Sequence, residues 1–484
     1  MGPRIVVLAI LAVEFACAAR PVNVTPRISA EVLATRLAEA DRLASQGCYL
    51  CLKEAAAVYA GLLDLIDDKQ DPASLIRKKA LENNLMIAIR EVELQMPDSG
   101  AREAARQLQG RVPDDYARYF AVLDALAAPV VTGGVTIREV REQREARAAL
   151  AAELEKGWPA SAMKAYFYFA VLFQTASFKE VEPKAESVLT AHPADLSMKY
   201  RLLSFQPLFS EDAARNLIGM ETGFGEVNLL VGQRAVMNGN LANAFRELTR
   251  AYQLLPDSVA IVFALANVTF GYARYADALV LYDKVLASPA ISAMQSQVQL
   301  GRARTLSYLK RHDEAIRLLD DLLVSDAGNV PGEKYYWRAW NRLQLGQSQP
   351  AYEDAMAGLN AMRNDAIYRL AGIASFNLGR SAEARTYFEN ALQMNRDDCD
   401  SERYLGLLDS AERNWKAAID RFSAASSCYH AMVLRFQTEL AEYEKDITGL
   451  SNSLIAAKRA DIKETEALRD QSAHNASVAT KNSQ

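Results

Sequence analysis

Cys48 and Cys51, three residues apart, carry the strongest chemical signal in this 484-residue chain. Their Cys-Tyr-Leu-Cys stretch stands where a helical pattern begins. A helix N-terminus stabilises a thiolate and so suits thiol–disulfide exchange. Three states are open to the pair: structural disulfide or buried thiols, redox-active pair, or part of a metal site. Redox enzymes of the thioredoxin type set such a pair after a strand in a βαβ unit, and none is legible here. Zinc would need two more ligands, and none lies nearby in sequence. A structural role is therefore expected, with a thiol oxidoreductase using Cys48 and Cys51 as the alternative.

Other chemistry is thin. The four histidines, His192, His312, His430 and His474, are far apart and in no metal-ligand spacing. Gly133-Gly134 is followed by no Lys-Ser/Thr, so it is no phosphate loop. Gly-x-Ser-x-Gly and His-Glu-x-x-His are absent. The acid pairs Asp67-Asp68, Asp114-Asp115 and Asp397-Asp398 read as solvated turns or caps. Asn23, Asn267 and Asn475 begin glycosylation sequons that matter only in a eukaryotic secretory pathway. No catalytic residue, metal or cofactor is assigned, and the chain is expected not to be an enzyme. The 55 basic and 60 acidic residues give a net charge of −5, without the basic excess that nucleic acid would call for. Half of the residues are hydrophobic, enough for a large core and too many for a disordered chain.

Met1–Ala19 reads as a signal peptide. Arg4 supplies the positive start, Ile5–Val13 a nine-residue apolar run too short to span a bilayer, and Ala16–Ala19 small residues for cleavage. Cys17 raises a second possibility, a lipid-anchored protein, although Glu14-Phe15-Ala16 fits a bacterial lipobox poorly. No later stretch has 18 uninterrupted apolar residues. Cleavage leaves Cys48, Cys51, Cys399 and Cys428, an even number that suits an oxidising compartment.

What must position these residues is helical. Helical periodicity predicts helices over Ser29–Ser45, Cys48–Asp67, Pro72–Gln95, Asp114–Ala127, Ile137–Lys156, Ser161–Ala176 and Phe178–Ala191. Pro129–Val135 interrupts them. From Gly225 the chain repeats. Gly232, Ala244 and Ala251 match Gly372, Ala384 and Ala391, and again Gly406, Ala418 and Ala425. Each set places a small residue, another 12 later and a third 7 after that.

This pattern resembles the tetratricopeptide repeat, a helix pair of about 34 residues with small residues at positions 8, 20 and 27. Units then begin near Gly225, Val259, Ser296, Gly332, Asp365 and Cys399, in steps of 34, 37, 36, 33 and 34. In the middle three the third small position holds Val285, Leu322 or Gly358. The expected packing sets position 8 of helix A against position 20 of helix B, with Leu248, Tyr282, Leu319, Phe388 and Phe422 at position 24 filling the gap. Phe167–Pro193 reads as a degenerate further unit, and Gly346 and Gly379 as A–B turns. Cys399 and Cys428 take positions 1 and 30 of one unit, the facing ends of a hairpin, so a second disulfide is expected there.

The resemblance implies an all-α right-handed superhelical solenoid with helix A lining a concave groove. It implies groove positions at Gln233, Phe263, Asn267, Phe270, Arg304, Tyr308, Tyr336, Trp340, Arg369, Phe376, Asn377 and Arg403. Aromatic residues and arginines are common anchors for a protein segment. The set lacks the Lys/Asn/Asn/Lys/Arg pattern that clamps carboxy termini in chaperone-binding members. After the repeats, Val433, Phe436, Leu440, Tyr443, Ile447, Leu450, Leu454 and Ala457 mark one helix, a cap on the array or a coiled-coil seam for self-association through 433–457.

The expected organisation is a signal peptide at 1–19, irregular helical pairs at 20–222 and about six repeats at 223–429. A capping helix at 430–470 and a disordered tail at 471–484 complete it. The expected function is an exported, periplasmic or secreted scaffold that binds protein through its groove, in envelope assembly or secretion.

Overall fold

The computed structural model describes residues 28–66, 71–127, 137–156, 161–291, 294–325 and 331–484. The expected leader Met1–Ala19, Cys17 and the Pro129–Val135 interruption lie outside these. All regular structure among the described residues is helical. Helix starts are fixed by side chains. Ser29, Ser161, Asp195, Ser210, Asn240, Ser258 and Asp398 each accept the backbone N–H three residues on, one of the donors a helix start leaves unpaired.

Ten helices form the first half: α1 (Ala30–Gln46), α2 (Tyr49–Leu65), α3 (Asp71–Leu94), α4 (Ala101–Gln109), α5 (Ala117–Ala127), α6 (Ile137–Glu155), α7 (Ala162–Leu172), α8 (Phe178–Ala191), α9 (Leu196–Leu203) and α10 (Glu211–Met220). Helices α4, α9 and α10 were not among those expected. They are short, and charged side chains interrupt their apolar runs. The pair α7–α8 is no degenerate repeat: α7 packs chiefly on α6 and α9 and meets α8 only at its edge. Every residue of α7 from Ala165 to Leu172 is buried, so it is a central helix wrapped on all sides.

Six A–B pairs follow: α11 (Gly225–Met237) with α12 (Leu241–Leu254), α13 (Val259–Gly271) with α14 (Tyr275–Leu286), α15 (Gln295–Tyr308) with α16 (His312–Ser325), α17 (Pro331–Gln344) with α18 (Ser348–Ala361), α19 (Asp365–Asn377) with α20 (Ser381–Met394), and α21 (Cys399–Ala411) with α22 (Trp415–Tyr443). The starts fall within one residue of those read from the repeat. Every A–B turn holds one left-handed residue: Gly239, Ala273, Lys310, Gly346, Gly379 and Arg413. Each helix packs on the next, and successive A helices also touch one another, so the stack curves with the A helices inside.

A Cβ on Gly232 would stand 2.7 Å from Leu248, and one on Gly406 would stand 2.8 Å from Phe422. The position-24 side chain lies directly over the position-8 glycine, as the repeat pattern predicts. Burying a ring such as Phe388 or Phe422 there contributes about 1.5–3 kcal/mol each. One apolar core runs unbroken from Cys48 to Tyr272, across the boundary expected near 222. Ser258 and Val259 at the second repeat bond the carbonyls of Leu94 and Gln95, which ties the halves together.

The C-terminal region differs from expectation. Residues 430–470 are not one helix. Helix B of the last repeat runs on to Tyr443, the chain turns at 444–451, and α23 (Asn452–Asn482) returns along it. Gly449, at φ +77°, belongs to that turn and interrupts the seam expected over 433–457. Residues 471–482 are helical rather than disordered. Ala479 is buried against Ala418 and Phe422, on the face where a further helix A would sit. The expected cap exists, made by the tail itself. Small side chains (Ser472, Ala476, Ala479) allow that close approach, and their low hydrophobicity hid it in the sequence.

Candidate concave interaction face

Residues of the A helices, joined by Tyr275 at the start of α14, form an aromatic row. Phe270, at the end of α13, packs edge-on against Tyr275 and Tyr308, with ring centroids 5.3 and 5.4 Å away. Tyr275 and Tyr308 stack at 4.8 Å with planes 16° apart. The row continues through Trp337 to Tyr336 and Trp340. The Arg304 guanidinium lies over Phe270 and Trp337. Tyr308 is 47% exposed, which makes it the large aromatic that this row offers to solvent. Burial, followed by the neighbouring Tyr308 and then Asp461, pushes the Tyr275 phenol up to about 12, so it stays a neutral hydrogen-bonding group at physiological pH.

The expected groove residues divide. Gln233, Asn267, Tyr308 and Asn377 are exposed. Asn267 accepts the Tyr282 hydroxyl at 2.7 Å, and Phe263 packs on the same ring. Tyr336 and Trp340 pack around Ala339, Ile367 and Leu370, between neighbouring repeats. Arg369 holds buried Asp398 at 3.1 Å. Arg403 donates to the Tyr429 hydroxyl at 3.3 Å, and Phe376 packs on Tyr404. Six of the twelve, Phe263, Tyr336, Trp340, Arg369, Phe376 and Arg403, thus bind the array to itself. Tyr275 and Trp337 were missed. The positional rule scans selected helix-A positions, whereas Tyr275 opens helix B and Trp337 lies one residue beside a groove position.

A second cluster surrounds the first cysteine pair. The sulfurs of Cys48 and Cys51 lie at bonding distance, with Cα atoms 5.0 Å apart, and Cys48 caps α2 by accepting the Cys51 N–H. A Glu221 carboxylate oxygen and both sulfurs lie within 4.8 Å of one another. Thiolates there could join Glu221 as metal ligands, a third donor that sequence spacing did not reveal. Cys48 is 1% exposed and Cys51 7%, so a second thiol has little access to either sulfur. Cys399 and Cys428 also lie at bonding distance, 5.5 Å between Cα atoms. Beneath the first pair, buried Arg90 stacks on Tyr166 and Tyr200 and donates to the Gly47 carbonyl at 3.1 Å, while buried Glu226 accepts the Tyr49 N–H at 2.8 Å. This network anchors the start of α2 to α3 and α11.

Repeat length, left-handed turns and glycines under position-24 side chains agree on one architecture. The repeats are of the tetratricopeptide type. No protein-family model and no curated protein matches the sequence. Solved structures are similar to parts of the chain. That of pilF from Pseudomonas aeruginosa covers 46% of this chain and 99% of its own, at 20% identity and TM-score 0.38. A tetratricopeptide repeat protein from Parabacteroides merdae covers 51% and 98%, at 19% and 0.37. YrrB, described as having an unusual peptide-binding site, covers 37% and 91%, at 18% and 0.31. At such scores the tetratricopeptide repeats themselves, and not these likenesses, carry the fold. Among the described residues no helix is long and apolar enough to cross a membrane.

Proposed function

We propose that the chain is an exported, non-enzymatic adaptor that holds a protein segment on its concave face. The observation that carries this reading is Tyr308, exposed yet fixed by stacking on Tyr275 and Phe270. A rigid, half-exposed aromatic costs little conformational entropy on binding and supplies a large contact area. Export is supported by the Met1–Ala19 pattern and by cysteines that come in two bonding pairs. A place in envelope assembly or secretion is the process that fits such an exported scaffold.

The test compares residues 20–484 with a Tyr275→Ala/Tyr308→Ala variant, both immobilised and challenged with native extract. A protein retained by the unaltered chain and lost with the variant supports the reading. Equal retention moves the working surface elsewhere. A variant with alanine at Tyr336, Trp340, Arg369 and Arg403, four of the groove positions expected from sequence, is a poor test because it removes contacts that hold the repeats together.

A further inference from the structure

The α22–α23 hairpin has two parts that pack differently. Its base is seated. Ala476 and Ala479 lie on Ala418, Phe422 and Trp415, and Leu468 lies on Tyr429 and Met432. Its distal arm, from Arg435 through the turn to Glu464, leaves the last repeat and reaches back across the inner face. At its tip Leu450, in the turn, and Leu454, in the first turn of α23, are half-buried against the core that contains Tyr272 of the second repeat. Tyr443 and Asp446 at the tip also act electrostatically on the Tyr272 phenol, and Asp461 acts on Tyr275.

Between base and tip the arm does not close down. A cavity of 780 Å³ separates it from the fifth and sixth repeats, with Arg369 and Asn395 on one wall and Arg435, Phe436, Asp461 and Glu464 on the other. The cleft is open to solvent and largely polar in its lining, so this stretch of the arm is not packed down on the repeats. The arm is instead held to itself: Lys458 pairs with Glu439 at 2.9 Å, Arg459 pairs with Glu444 at 2.6 Å, and the Lys458 ammonium lies over Phe436. It is a self-supporting unit attached to the repeats at a small apolar tip, next to the aromatic row.

We propose that the face beside Tyr272, adjoining the stacked Tyr275 and Tyr308, binds an amphipathic helix bearing paired leucines and a flanking carboxylate, with the α22–α23 arm as its resident occupant at the Tyr272 end, displaced by such a partner. The arm shows the chemistry the face accepts: Leu450 and Leu454 on the apolar floor, with Asp461 roughly two helical turns farther along toward the stacked tyrosines. This deepens the adaptor reading and rests on it. The test below needs no native partner, so loss of arm movement and loss of partner capture are separate results.

Spin labels are placed at Val280→Cys and Ile447→Cys, both exposed positions, in oxidised residues 20–484, and their separation is read by double electron–electron resonance. The probe is a synthetic peptide of residues 450–468. The expected result is one dominant distance in the free protein and a longer, broader distribution as peptide is added to saturation. Leu450→Asp/Leu454→Asp produces the same lengthening without peptide, and Tyr275→Ala/Tyr308→Ala abolishes the response to peptide. Hydrogen exchange over 468–482 stays unchanged, which shows the base still seated. A distance that neither the peptide nor the leucine substitutions alter makes the arm a fixed brace and overturns the proposal. Failure of a fluorescently labelled copy of the same peptide to bind the leucine variant saturably also overturns it, and the peptide titration of the unsubstituted arm decides the matter if that variant loses its base.

Discussion

Gly372 lies directly beneath the Phe388 ring: a Cβ added there would stand 2.5 Å from the ring edge. The same relation joins Gly406 to Phe422 and Gly232 to Leu248. Gly372→Ala or Gly406→Ala is therefore expected to destabilise the array by about 1–3 kcal/mol, read as a lower Tm. Pairing Gly372→Ala with Phe388→Leu should recover part of the loss. Gly61 is the control. It sits inside α2 with open space around it, so Gly61→Ala should stabilise by roughly 0.5–1 kcal/mol.

The A–B turns make a second prediction. Ala273, Lys310 and Arg413 hold left-handed backbone conformations without being glycine, at φ 54°, 60° and 62°. Lys310→Gly and Arg413→Gly should each stabilise by about 1 kcal/mol by removing a Cβ strain. Gly379→Ala, with φ +73°, should cost a similar amount. Paired thermal melts of the single substitutions check the sign.

The cysteine pairs should differ in what they contribute. Cys399 and Cys428 close a loop across a whole repeat, sequence separation 29, so their bond should stabilise the last repeat by about 3 kcal/mol. Cys48 and Cys51 close a loop of separation 3 and should contribute far less by that route. Alkylation with and without reductant, followed by mass measurement, should find four blocked thiols before reduction. Four free thiols in the mature oxidised protein contradict both pairs.

Asp446 should make the hairpin turn acid-sensitive. Its carboxylate accepts the Thr448 hydroxyl and N–H and the Ser451 N–H, which hold it well below the usual range. A lowered folded value means that this stabilisation is fully present above the unfolded value, about 4, and is lost as pH falls through the folded one. Amide exchange across 444–455 should stay flat from pH 7 down to about 4, after correction for intrinsic rates, and rise below it. Asp446→Ala should show the raised exchange already at neutral pH.

The repeats were legible because their constraint is local and recurs. A glycine or alanine must lie under each position-24 side chain, and the turn must accept a left-handed residue. Even where the small-residue pattern weakens, at Val285 and Leu322, the frame predicted the helix starts to within a residue. The concave face was less legible. Periodicity gives the side of the helix on which Trp340 and Arg369 lie, but not that Ile367 and Asp398 already occupy them. The return of α23 was invisible for another reason. An alanine-rich face around Ala476 and Ala479 gives almost no hydrophobic period, and only the flat surface left by Ala418 and Phe422 shows why it suffices. Glu221 beside Cys48 and Cys51 is a contact between distant parts of the chain that spacing does not encode.

Site-specific photo-crosslinking tests the concave-face claim most directly. A photoreactive phenylalanine analogue is placed at Tyr308, on the inner face, and separately at Val324, 84% exposed on a B helix. Both proteins are expressed in the native host and irradiated. The account predicts a discrete protein adduct from position 308 that position 324 does not give. Adducts common to both positions, or found only from 324, would contradict it.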